Sequence, residues 1–207
     1  MAKRMYAVAG LLAPLLAVAA CGSSQADKPV DQIVSEARTA ANEASSVRVT
    51  GDLAQGPTKG KVDLLLTNNG DGREDLTLAG QTISVVKVGD AVYAKGIPGQ
   101  PGGGFQQLPA DNPVAGQLVQ DLNKKTLFDE LLNPQQRFTK AGTGQIDDQD
   151  VVKLKPQQGQ AMYYISDDSD NPYPLRVETS GQQGGLTLTL ADWDAGATVE
   201  PPRTGGP

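Results

Sequence analysis

The hydrophobic pattern changes period several times along the chain, and each change marks an element. Met5 to Ala20 is uncharged and rich in Leu, Ala and Val. From Val30 to Ala44 the residues Val30, Ile33, Val34, Ala37, Ala40, Ala41 and Ala44 recur at intervals of three and four. That spacing predicts an amphipathic helix with a narrow, alanine-rich face. Pro29 suits its first turn, and Asp31 and Glu36 lie toward the positive end of the dipole. From Ser46 the period falls to two. Val47, Val49 and Leu53 alternate with polar residues; Val62, Leu64 and Leu66 follow, then Leu76 and Leu78, Ile83 and Val85, and Val92. Gly56-Pro57, Asn69-Gly70, Gly80-Gln81 and Gly89-Asp90 separate these runs as hairpin turns do. The first half therefore reads as an antiparallel meander of about five strands.

Gly96 to Asp111 is a loop dense in Gly and Pro. It lacks the Gly-Lys-Ser/Thr ending of a phosphate-binding loop, and a plain connector is favoured over a mobile flap. Helical signals then return. Asn112 is a capping residue and Pro113 fits the first helical position. Val114, Leu118, Val119 and Leu122 form one face, which Lys124-Lys125 interrupts. Thr126, with Asp129 and Glu130, suggests a second start for Leu127, Phe128, Leu131 and Leu132, and Asn133-Pro134 ends it. One broken helix or two short ones result. Strands resume at Phe138, Val151 to Leu154, Met162 to Ile165, Leu175 to Thr179 and Leu186 to Leu190. Asp147-Asp148-Gln149-Asp150, Asp167-Asp168-Ser169-Asp170-Asn171-Pro172 and Gly184-Gly185 supply turns, and residues 201–207 form a tail.

These strands mostly have one apolar and one polar face, as an antiparallel sheet wetted on one side requires. About nine of them make a sheet some 40 Å wide, and the two helical regions would shade roughly three quarters of it. Such a sheet curls around its helices. The arithmetic leaves both a filled interior and an apolar cavity open.

The uncharged opening stretch contains Pro14, is short for a membrane span, and follows Lys3 and Arg4. It fits the core of a signal peptide. It ends Val18-Ala19-Ala20-Cys21, with the only cysteine of the chain. That sequence resembles the bacterial lipobox, which implies a leader over 1–20, diacylation of Cys21, and anchoring on the extracytoplasmic face of the cell membrane. Two acyl chains suffice for stable anchoring. Residues 21–29 read as a flexible tether, and 30–200 as one domain.

Composition narrows the chemistry. The chain carries 18 basic and 24 acidic residues, a net charge of −6, and Lys3 and Arg4 fall within the leader. Nucleic acid, which needs a basic footprint, is a poor partner. There is no histidine. Ser-His-Asp and Cys-His catalysis, His- or Cys-based zinc sites and disulfides are thereby removed. The expectation is a protein without enzymatic activity, cofactor or metal. The acidic turns lack the spacing and glycine of a calcium loop and read as solvated turns. Trp193, the only tryptophan, is expected to close the sheet edge or pack on the first helix.

The order of lipobox, helix, meander, helical insertion and further strands now meets a specific ending. Tyr173-Pro174-Leu175-Arg176-Val177-Glu178 leads to Leu186-Thr187-Leu188-Thr189-Leu190-Ala191-Asp192-Trp193 and Pro201-Pro202. This resembles the actinobacterial LppX/LprG-type lipoproteins, relatives of the LolA lipoprotein carriers. The resemblance implies an α+β fold: a strongly curved antiparallel sheet, an unclosed half-barrel, with helices across its concave face. It also implies a non-enzymatic carrier of acylated lipids or glycolipids in the cell envelope. The inward set would be Val49, Leu64, Leu66, Leu78, Val85, Leu118, Leu122, Leu154, Met162, Tyr164, Val177 and Leu188, whether as cavity wall or as packed core. Aromatic residues make up only 4%, which argues for a small cavity or none. The alternative is an interaction module with a filled core that binds an envelope protein.

Overall fold

The computed structural model describes residues 24–55, 58–99, 103–109, 112–181 and 184–204. The expected leader, Cys21, the expected turn at Gly56-Pro57 and the end of the expected tail lie outside them. Period-two alternation produces β1 (Ser46–Gln55), β2 (Thr58–Thr67), β3 (Gly72–Leu78), β4 (Gln81–Val88) and β5 (Ala91–Lys95), joined as a meander. β6 (Gln106–Leu108) pairs with β5. After the helices come β7 (Phe138–Ile146), β8 (Gln149–Pro156), β9 (Ala161–Ser166), β10 (Pro174–Gly181) and β11 (Gly184–Ala191). All eleven lie in one antiparallel sheet, in the order β6-β5-β4-β3-β2-β1-β11-β10-β9-β8-β7. The sheet does not close, because β6 and β7 are its two edges.

Eleven strands replace the expected nine or so. β6 is three residues long and lies in the Gly/Pro loop, too short to show a period. β7 buries only Phe138 and Ile146, at its ends, so its interior looks like loop. That polarity suits an edge strand. Between β7 and β8, Asp147 and Asp148 both have positive φ, 48° and 65°, the conformation of a two-residue type I′ hairpin.

Helix α1 (Val30–Glu43) buries Ile33, Val34, Ala37 and Ala41 against the core, along the anticipated face. Helices α2 (Pro113–Leu118) and α3 (Lys124–Leu131) are the two short ones. Lys124 begins α3 and does not interrupt a helix. The Asn123 side chain caps α3, accepting from the Thr126 amide at 3.0 Å. Lys124 itself is 4% exposed. Its ammonium donates to the carbonyls of Ala41 at 2.8 Å and Asn42 at 2.9 Å, and to that of Ala44. These carbonyls end α1 and have no intrahelical donors. Burial lowers the Lys124 pKa, while the nearby Asp194 carboxylate opposes the shift.

The expected tether is docked from Ser24 onward. Gln25–Asp27 forms a 3-10 turn, and Gln25 is fully buried. Asp167 accepts from the Ser24 hydroxyl and from the Ala26 amide, both at 2.7 Å. Glu36 of α1 accepts from Lys28 at 2.7 Å and Gln25 at 2.9 Å. The polarity of this stretch suggested solvent; from Ser24 to Lys28 its polar groups instead find partners just past the end of β9 and on α1. Trp193 follows β11 at the centre of the sheet and so closes no edge; it stacks on Tyr173 at 4.5 Å, meets Phe128 of α3 at 5.4 Å, and packs against the core that includes the buried face of α1.

Candidate functional site

Strand register assigns the concave face residue by residue. One row runs Val85, Glu74, Leu64, Val49, Leu190 across β4, β3, β2, β1 and β11. The next runs Ile83, Leu76, Val62, Gly51, Leu188, Val177, Tyr163, Leu154 and reaches β8. The last runs Gln81, Leu78, Gly60, Leu53, Leu186, Thr179, Ala161. Side chains alternate faces, so membership of a row fixes direction.

Eight of the anticipated inward residues are buried in one continuous core with α1 and α3: Val49, Leu64, Leu66, Val85, Leu122, Leu154, Val177 and Leu188. Leu118 packs partly buried against that core and against a smaller cluster of Ala94, Leu108 and Ala115. Two assignments are corrected. Met162 and Tyr164 lie on the convex face, opposite Glu178 and Arg176. Tyr164 donates to Glu178 at 2.8 Å, and the Lys153 ammonium sits 6.0 Å above its ring. Tyr163 and Ile165 point inward in their place, 7% and 0% exposed. Met162-Tyr163-Tyr164-Ile165 is apolar throughout, so alternation gives no phase, and a one-residue slip reverses the face.

Leu78 is on the concave face, but 43% exposed rather than enclosed. It belongs to the rows farthest from the helices. Toward that end of the strands burial falls away: Leu53, Val62, Leu76, Ile83 and Leu186 are only partly buried. Together they form an apolar trough. Two glycines shape its floor. A Cβ on Gly60 would stand 2.6 Å from Leu78 Cδ2, and one on Gly51 2.6 Å from Leu188 Cδ2. The leucines therefore lie flat across the sheet where neighbouring strands carry no side chain.

At the head of the trough, one row nearer the helices, stands Glu74. It is 7% exposed, flanked by Leu64 and Val85, and has no hydrogen-bond or ion-pair partner among the described residues. Burial pushes its carboxyl up to about 7, and the charges of Asp121 and Asp75 push the same way. Beside it, Leu122 packs where a Cβ on Gly72 would stand, 3.2 Å from Leu122 Cβ. Reading only the apolar members of β3 missed Glu74, though it shares the parity of Leu76 and Leu78.

At the opposite end of the strands lies a cleft of about 790 Å³, lined by Trp193, Tyr173, Leu175 and the acidic turns. Several of its polar groups are already engaged. Asp167 holds the N-terminal segment, Asp168 accepts from the Asp170 amide at 2.9 Å, and the Tyr173 hydroxyl donates to Asp194. Burial, with that carboxylate, pushes Tyr173 up to about 12.

No protein-family model matches the sequence, and no curated protein matches it either. Among solved structures, LprF from Mycobacterium bovis superposes with a TM-score of 0.59 at 16% identity, covering 84% of this chain and 97% of that one. The lipoprotein LppX from Mycobacterium tuberculosis superposes with a TM-score of 0.56, also at 16% identity, covering 82% of this chain and 97% of that one. The open antiparallel sheet of this chain, with helices across its concave face, has the fold of the lipoproteins LprF and LppX.

Proposed function

We propose that the protein is a membrane-anchored, non-enzymatic lipoprotein that binds acylated lipids or glycolipids in the cell envelope and passes them on. The observation that carries this reading is the trough, an apolar strip of Leu53, Val62, Leu76, Leu78, Ile83 and Leu186 left partly uncovered on the concave face. Contiguous exposed apolar surface on a folded chain marks a binding site. A sixteen-carbon chain laid on it gains on the order of 12 kcal/mol gross, before ordering costs. An aliphatic wall therefore suffices without polar contacts.

The lipobox at Cys21 supplies the anchor in this reading. Only Gly22 and Ser23 separate Cys21 from the docked Ser24, and three residues of chain reach at most about 11 Å. The domain would thus sit close to the bilayer with the Asp167 end down. Asp167 follows the end of β9, and Ala161 of the trough lies at the start of that strand. The trough then faces away from the membrane, as suits delivery outward.

The test is native mass spectrometry of the full chain carrying Cys21→Ser, purified from a bacterial host. Co-purifying acylated lipid, lost in Leu78→Asp while the thermal melt is unchanged, is the expected result. A second reading is favoured by the dense packing of Val49, Leu64, Leu66 and Leu154 in the core: an interaction module that binds an envelope protein. A lipid-free mass that persists after incubation with envelope lipids would select it.

A further inference from the structure

Glu74 has no evident part in the fold. Its strand neighbours are Leu64 and Val85, and an unpartnered carboxyl 7% exposed among them costs free energy that a leucine would not. The polar groups around it are committed elsewhere. Asp75, on the other face of β3, accepts from Arg73 at 2.7 Å and from Ser84 at 2.5 Å. Lys87, one row farther from the trough, donates to the Gly70 carbonyl at 2.8 Å. Asp75 and Asp121 leave the local field negative.

We propose that Glu74 reads the headgroup of the lipid in the trough: it pairs with a hydroxyl or ammonium donor and turns away anionic headgroups. The inference rests on the carrier reading and names the ligand class. Glu74 is two residues along β3 from Leu76, so about 7 Å separates the carboxyl's row from the start of the apolar strip. A glycerol-linked headgroup spans that distance while its acyl chain lies over Leu76 and Leu78. A phosphate without a compensating ammonium would meet the Glu74 carboxyl and the charge of Asp121, while the one cation of the neighbouring row, Lys87, is turned to the Gly70 carbonyl. A carboxyl that titrates near neutrality also both donates and accepts, which suits a sugar hydroxyl.

The test loads the full Cys21→Ser chain from vesicles holding equal amounts of three dioleoyl lipids: phosphatidylethanolamine, a monoglycosyl diacylglycerol and phosphatidylglycerol. Bound lipids are counted by native mass spectrometry. Wild type is expected to favour one or both of the first two over phosphatidylglycerol by about tenfold, the worth of one charge-assisted hydrogen bond. Which of the two is favoured identifies the donor as ammonium or hydroxyl. Glu74→Gln should lose the preference for ammonium, and Glu74→Leu the preference for either, with total uptake retained. Equal uptake of all three by wild type, or an unchanged ratio in both variants, overturns the inference and leaves the carrier reading standing. No uptake of any lipid by wild type overturns both.

Discussion

Lys124 joins two helices through one ammonium group, with its three acceptors all at the end of α1. Lys124→Met keeps the stem and strands those carbonyls, so a loss of about 3 kcal/mol in urea denaturation is expected. Glu74 gives a pH signature. Its carboxyl stands at about 7 in the folded chain against 4.5 ordinarily. Below pH 4.5 both states hold the proton. Between 4.5 and 7 the unfolded chain releases it and the folded chain keeps it, so stability falls as pH rises, by roughly 3 kcal/mol in all. Glu74→Gln should flatten that part of the stability–pH curve. At this scale the sequence was legible wherever polar and apolar residues alternate: Val49, Leu64 and Val85 face inward as their parity requires. It was illegible in the unbroken run Met162 to Ile165, where phase has no marker, and at Glu74, where a carboxylate occupies an inward position.

Among the elements, the N-terminal segment depends most on electrostatics. Hydrogen bonds from Lys28, Gln25 and Gln32 hold Glu36 down to about 2. A depressed carboxylate contributes stability above its ordinary 4.5 and loses it as pH falls toward 2. Docking of the Gln25–Asp27 turn should weaken across that window. Glu36→Gln should raise hydrogen exchange at Asp27 and Lys28 at neutral pH while barely moving the global melt. Strand β1 depends on close approach instead. Gly51→Ala would set a Cβ 2.8 Å from the Thr187 carbonyl of β11, and a loss of about 1–3 kcal/mol is expected in urea. The two helical regions and five hairpin-linked strands were visible as changes of period. β6 was not, being three residues long, and the docked 24–29 segment was not, because polar residues satisfied by distant partners look like a tether.

In the whole molecule, each half of the sheet is a local meander, and local periodicity exposes both. Nothing local predicts that β1 pairs with β11; the register of Arg48 with Ala191 joins positions about 140 residues apart. The order of elements and the Tyr173 to Trp193 ending suggested it only through resemblance. Leu190 is 2% exposed on this seam, so Leu190→Ala is expected to cost about 2–5 kcal/mol and to slow refolding in stopped-flow measurements. The first and last strands thus stand side by side at the centre of the sheet. For a chain delivered N-terminus first, β1 waits as a bare edge while every other strand emerges. An unpaired edge invites pairing with other chains. The nascent protein therefore needs protection until its final strand arrives, and completion of the fold is timed by the end of delivery rather than its start.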